Sequence, residues 1–128
     1  MDGFLLLLCT NVIALAKSTE LIRHRTYFKH WMQMSSSEVY GPAINGPSKE
    51  THTLNPTSPY GVSKLTGHLH SKTYFDSNQF SINIIRPSSA YAPGQQLYLV
   101  MPRAAYCALK GVTFPLEGGG IAENHFFT

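Results

Sequence analysis

The chain opens on an apolar run, Gly3 to Ala16, broken only by Thr10-Asn11. Ala14-Leu15-Ala16 has the small-x-small pattern of a signal-peptide cleavage site, but the residues ahead of the run carry Asp2 and no Lys or Arg. The run is also shorter than the roughly 20 residues that a membrane-spanning helix needs. A second apolar stretch, Tyr27 to Met34, interrupted by Lys29 and His30, predicts a buried strand. Pro42, Pro47, Pro56 and Pro59, set among Asn, Ser and Thr, then block regular structure and predict a long loop. Beyond it the pattern predicts a helix from Pro59 to Phe75, broken by Asp76-Ser77-Asn78, and a strand from Phe80 to Ile85. A helix follows from Leu99 to Lys110, where Pro102 fits only within the first turn. A short strand is expected at Val112 to Leu116. No internal repeat or low-complexity tract is visible.

Composition narrows the classes. With 128 residues, 43% of them hydrophobic, the chain is long enough to bury one core. A net charge of +3 is mild, and apart from Arg23-His24-Arg25 the basic residues are scattered. Nucleic-acid binding, which wants a basic stripe with interleaved aromatics, is therefore not expected. Cys9 and Cys107 have no metal-ligand spacing and read as reduced, structural thiols. His68 and His70, two positions apart on a helix, point to different faces, so no metal site is expected there.

The densest chemistry lies in Tyr60-Gly61-Val62-Ser63-Lys64. At i and i+4 of a helix, a phenol and an ammonium share a face. The charge of Lys64 is expected to pull the Tyr60 pKa below its usual value of about 10, making a general base for an alcohol proton. The pair is also common on exposed helices. Its company carries the argument: Ser35-Ser36-Ser37-Glu38-Val39-Tyr40-Gly41 closes the first predicted strand, and Arg86-Pro87 closes the second, followed by Ser88 to Gln96. Strand ends are where an open α/β sheet places its reacting groups.

These motifs, with Asn11-Val12 upstream and Asn124-His125-Phe126 downstream, occur in an order and at separations that resemble the extended short-chain dehydrogenases/reductases, specifically the NAD-dependent nucleotide-sugar epimerase/dehydratase family. The likeness covers roughly residues 8 to 128. It implies an α/β fold: part of a Rossmann-type doubly wound parallel sheet, its later strands and helices only, plus the start of a small substrate-binding domain. The implied division is 1–96 for the later half of the NAD(P)-binding domain and 97–128 for the beginning of the substrate-binding region. Under the same likeness the N-terminal apolar run becomes a helix from Asn11 to Arg23, with Val12, Leu15, Leu21 and Ile22 partly facing the sheet. The helix is preferred to a signal peptide. The glycine-rich turn that holds a dinucleotide pyrophosphate is not among these residues, and Gly118-Gly119-Gly120 reads as a turn between strands. The chain is therefore expected to be a partial sequence, inactive alone and poorly able to complete its core. Other readings are a non-catalytic remnant that docks on a partner through its open sheet edge, and a small secreted protein.

Position by position, the resemblance implies that Tyr60 takes the proton from a sugar hydroxyl, usually at C4. Lys64 tunes Tyr60 and holds the nicotinamide ribose, and Ser36 hydrogen-bonds the same sugar oxygen. Asn11, Ser35 and the backbone after Pro87 join Tyr60 and Lys64 at the cofactor. Ser89, Gln95, Leu97 and Arg103 fall where the family begins to contact substrate. Glu38 bears on the reaction, since dehydratases place an acidic pair after the catalytic hydroxyl. Here Ser37-Glu38 keeps only the Glu, and epimerase, dehydratase, decarboxylase and reductase stay open. The implied cofactor is NAD, with NADP open; the implied partners are a nucleotide sugar and a second copy, as the family is often homodimeric, with no nucleic acid or membrane. The implied location is the cytoplasm. Several positions depart from the family: Ser89 for a substrate-binding Asn, Ala92 for Gly, His68 for a frequent Glu, and Asn124-His125 for Arg-Asp.

Overall fold

A computed structural model describes residues 3–42, 46–78, 81–116 and 126–127. Two compact units result, residues 1–87 and 88–128, and each is taken by itself.

The first unit begins with an unbroken helical rod: α1 (Gly3–Leu8), a π-helical turn (Cys9–Ile13) and α2 (Ala14–Ile22). It starts eight residues before the expected Asn11 because Thr10 does not interrupt it; the Thr10 hydroxyl bonds back to the Leu6 carbonyl at 2.9 Å. The wide turn is closed by the Ala14 N–H on the Cys9 carbonyl. By length and composition this rod, Gly3–Ile22 with mean hydropathy 1.6, suffices to cross a membrane. The shorter run Gly3 to Ala16 did not meet that length. Core helices and N-terminal signal segments share the same composition.

Strand β1 (Trp31–Met34) is shorter than the expected Tyr27 to Met34. The backbone N–H groups of Arg25 and Phe28 are used in turns, on the carbonyls of Ile22 and Arg25, so pairing starts at Trp31. A 3-10 turn (Ser37–Tyr40) follows, and then helix α3 (Pro59–Asn78). Ser58 caps α3 and Pro59, whose missing N–H costs nothing there, opens it. The helix runs through Asp76-Ser77-Asn78, held by the Lys72–Asp76 ion pair at 2.5 Å and by the Asn78 amide on the Tyr74 carbonyl. Strand β2 (Ile82–Ile85) pairs parallel with β1, Trp31 opposite Ile82 and Met34 opposite Ile85. Phe80 of the expected strand lies outside the described residues. β1–α3–β2 is thus a parallel crossover unit, the repeating element of a doubly wound sheet.

The rod and α3 cross closely along small residues. A Cβ on Gly67 would stand 2.8 Å from the Asn11 carbonyl oxygen and 3.2 Å from Leu15 Cδ2, so only glycine fits. Thr19 meets His70 at 2.9 Å, and the Tyr74 hydroxyl donates to Glu20 at 2.5 Å. Among the described residues of this unit the buried apolar side chains are only Leu15 and Val39, while six polar ones are buried with them. Met32 and Met34 of β1, Leu21 of α2 and Leu69 of α3 stay exposed.

In the second unit β3 (Ser89–Ala90) pairs parallel with β4 (Phe126–Phe127), and α4 spans Val100–Lys110 with Pro102 in its first turn. Gly111 ends α4 in the left-handed conformation at φ 63°, and the Val112 N–H bonds the Cys107 carbonyl at 3.0 Å. That bond and Pro115 remove two of the ladder donors, and Val112 to Leu116 is irregular rather than a strand. Asn124, His125 and Gly118-Gly119-Gly120 lie outside the described residues.

Candidate active site

The carboxyl ends of β1 and β2, the first turns of α3 and the π turn converge on Tyr60. Ser35, buried, gives its N–H to the Ile85 carbonyl at 2.8 Å, and Ser37 gives its own to the Pro87 carbonyl at 2.9 Å. These bonds carry the sheet register past β1 and place Ser36 at the strand end. Ser36 is extended, and its Oγ accepts the Glu38 N–H at 3.2 Å, turning the chain into the 3-10 turn. The Ser36 side chain acts on the Tyr60 phenol and draws its pKa down. Lys64, one turn along α3, sets its ammonium 5.6 Å from the Tyr60 ring centroid and donates to the Met34 carbonyl at 3.3 Å.

Asn11 approaches from the rod, and its Nδ2 donates to Ser63 Oγ at 3.0 Å. Ser63, fully buried, donates in turn to the Tyr60 carbonyl at 2.8 Å. Asn11 therefore supports the backbone between Tyr60 and Lys64. Glu38 is exposed and accepts the Ser58 hydroxyl at 2.5 Å. At the end of β2, Arg86 donates to the Tyr40 hydroxyl and to the Glu50 carbonyl, pinning the 3-10 turn and the long loop together.

The electrostatics correct one expectation. Burial pushes the Tyr60 phenol above its ordinary value, the Ser36 side chain works against that, and the Glu38 charge raises it further. Lys64 does not lower it, because its ammonium lies over the ring face and is turned to Met34 rather than to the phenolic oxygen. Burial lowers the Lys64 pKa instead. His68, buried on α3 with Nδ1 lacking a partner among the described residues, is held below its usual pKa by burial and then by the charges of Arg86 and Lys72.

Asn11, Ser35, Ser36, Glu38, Tyr60, Lys64 and Pro87 all belong to the first unit; hydrogen bonds join Asn11 through Ser63 to the Tyr60 backbone and Ser36 to Glu38, and Lys64 lies over the Tyr60 ring. Ser89, Gln95, Leu97 and Arg103 belong to the second. Ser89 lies in β3, Gln95 donates to the Ala90 carbonyl at 3.0 Å, Leu97 is exposed, and the Arg103 N–H closes the first turn of α4 on Leu99. Sequence reasoning missed Ser58 and Ser63. Both flank or sit inside the Tyr60–Lys64 motif, and a Ser before Pro at a helix start is a capping signal that identifies Ser58.

The family described as GDP-mannose 4,6 dehydratase matches residues 5–119. The dTDP-glucose 4,6-dehydratase of Streptomyces griseus is 33% identical over 91 residues, covering 71% of this chain and 28% of that protein. The chain thus spans under a third of the length of that relative. Among solved structures, the dTDP-glucose 4,6-dehydratase of Bacillus anthracis in complex with NAD superposes with TM-score 0.84 at 30% identity, over 93% of this chain and 38% of that one. The UDP-N-acetylglucosamine 4-epimerase of Methanobrevibacter ruminantium, in complex with UDP-N-acetylmuramic acid, gives 0.82 at 26% identity, over 93% and 39%.

Proposed function

The chain belongs to the nucleotide-sugar epimerase/dehydratase family of extended short-chain dehydrogenases/reductases, with its Rossmann-type fold, and from that membership we propose that it carries the proton-transfer half of an NAD-dependent reaction on a nucleotide sugar. The observation that carries the reading is the Ser36–Tyr60–Lys64 arrangement at the strand ends. Tyr60 exchanges a proton with the sugar hydroxyl whose carbon is oxidised, and Ser36 shares that oxygen. The phenol as it stands is protonated at neutral pH, so Tyr60 waits in its acid form until positive charge reaches it.

The residues present fit the nicotinamide end of the cofactor. The Ser35 hydroxyl, just past the carboxyl end of β1, is buried without a partner among the described residues. Lys64 has three N–H donors, of which one is used by Met34. Asn11, Ser35, Tyr60, Lys64 and the backbone after Pro87 would hold this end. NAD, when bound, supplies the hydride acceptor and, oxidised, a positive charge. Glu38, whose charge acts on the phenol, is assigned the second proton transfer of a dehydratase. Ser89, Gln95, Leu97 and Arg103 are assigned to the substrate, residues 1–96 to cofactor binding and 97–128 to substrate binding. A cytoplasmic enzyme working as a homodimer completes the reading.

The test is a chimera in which this chain replaces the matching stretch of the Bacillus anthracis enzyme. Conversion of dTDP-glucose that requires added NAD is the expected result. A folded chimera that converts nothing would contradict the reading.

A further inference from the structure

At the start of α3 one hydroxyl makes two hydrogen bonds. Ser58 Oγ accepts the Gly61 N–H at 3.0 Å, which caps the helix, and the same hydroxyl donates its proton to Glu38 Oε2 at 2.5 Å. Glu38 gives its backbone N–H to Ser36 Oγ at 3.2 Å, and the Ser36 side chain acts on the phenol of Tyr60, the residue before Gly61. The Cβ direction of Gly61 is filled by the Glu38 carbonyl oxygen at 2.9 Å and by Pro56 Cβ at 3.0 Å. Both the backbone and the side chain of Glu38 are therefore seated on the helix end that bears Tyr60.

We propose that Ser58 is a positioning residue that fixes the Glu38 carboxylate relative to the Tyr60 phenol. The proposal rests on the reading of Tyr60 and Glu38 as reacting groups. A cap alone needs only an acceptor, which Asp, Asn or Ser all provide. Glu38 needs a donor as well, and a hydroxyl supplies donor and acceptor from one atom. An aspartate at this place would cap the helix and repel Glu38. Glycine is tolerated as a cap yet offers Glu38 nothing. Without the Ser58 proton, the exposed Glu38 side chain has no described bond to keep it beside Tyr60.

The titration of Tyr60 reports the arrangement, because the Glu38 charge raises the phenol's pKa. The chimera, with tyrosines labelled at the phenolic carbon, is titrated by NMR, and Tyr60 is identified by the signal lost in Tyr60→Phe. Glu38→Gln is expected to lower the Tyr60 midpoint. Ser58→Gly is expected to move it the same way, and the double variant no further than Glu38→Gln alone. Ser58→Thr, which keeps donor and acceptor, stays at the wild-type position. A Ser58→Gly midpoint equal to wild type while Glu38→Gln shifts would overturn the proposal, as would shifts that add in the double variant. Loss of the folded spectrum in Ser58→Gly counts against it too, since it would make Ser58 a residue of the fold at large. The readout needs no turnover, so an inert chimera would defeat the functional reading without touching this result.

Discussion

Gly67→Ala probes the crossing that brings Asn11 to the site. Alanine is the better helix former by about 1 kcal/mol, so on propensity alone the change stabilises α3. Packing opposes it. The new Cβ would lie 2.8 Å from the Asn11 carbonyl oxygen, a backbone atom that moves only if the rod moves, and 3.2 Å from Leu15 Cδ2. Overpacking of this kind costs about 1–3 kcal/mol. Pushing the rod away also stretches the Asn11–Ser63 hydrogen bond from 3.0 Å, whose loss costs about another 1 kcal/mol. The balance is a net loss of about 1–3 kcal/mol, seen as a fall in the melting temperature of the chimera of about 2–4 °C for each kcal/mol. Thr66→Ala, on the exposed face of the same helix, gains propensity with no such contact and serves as the control. A Gly67→Ala chimera that melts at or above the temperature of the parent would show that the two helices are not in the contact described.

Other outcomes follow from the same structure. His68 has a folded pKa below its unfolded value of about 6.5, so its contribution to stability is complete above that pH and is lost as pH falls through the lower, folded value. Denaturant midpoints of the chimera should fall with pH in that acid range, and should do so less steeply in His68→Gln. His68→Glu, which buries a carboxylate where burial outweighs the charges of Arg86 and Lys72, should lower the midpoint at neutral pH; a higher one would show that those two charges compensate the burial. The isolated chain, with its buried apolar residues so few and Met32, Leu21 and Leu109 exposed, should associate and show no sharp calorimetric transition. A monomer by light scattering with cooperative melting would refute this. NADH fluorescence should show no tight saturable binding to the isolated chain, since no glycine-rich pyrophosphate turn occurs in its sequence.

How much of this was legible in the sequence depends on what fixed each feature. Helix α3 was, because Pro59 at its start and the Tyr60–Lys64 spacing are local signals. The parallel pairing of β1 with β2 was implied by the family likeness, though only four residues of each strand pair. The start of the first helix was not, since Thr10 looks like an interruption until its hydroxyl is seen bonding back to Leu6. The apolar run Val112 to Leu116 looks like a strand until Gly111 turns left-handed and takes the next N–H into a helix cap. The direction of the Tyr60 shift was misjudged for a similar reason. Spacing puts Lys64 on the right face, but packing sets its ammonium over the ring and leaves the phenol ruled by burial and Glu38. Ser63 gave no signal, as its role depends on Asn11, which is 52 positions away.

The central claim is that Tyr60 exchanges the proton of the reacting sugar hydroxyl. Its most direct test is the steady-state kinetics of Tyr60→Phe in the chimera, beside Tyr98→Phe, whose ring is 77% exposed in the second unit. Phenylalanine keeps the ring beneath the Lys64 ammonium and removes the hydroxyl that carries the exchangeable proton. The account predicts that kcat falls by roughly a hundredfold or more with KM little changed, the mark of an interaction made in the transition state, while Tyr98→Phe stays near the parent rate. A Tyr60→Phe enzyme that retained nearly full kcat would contradict it and leave Tyr60 an ordinary residue of α3.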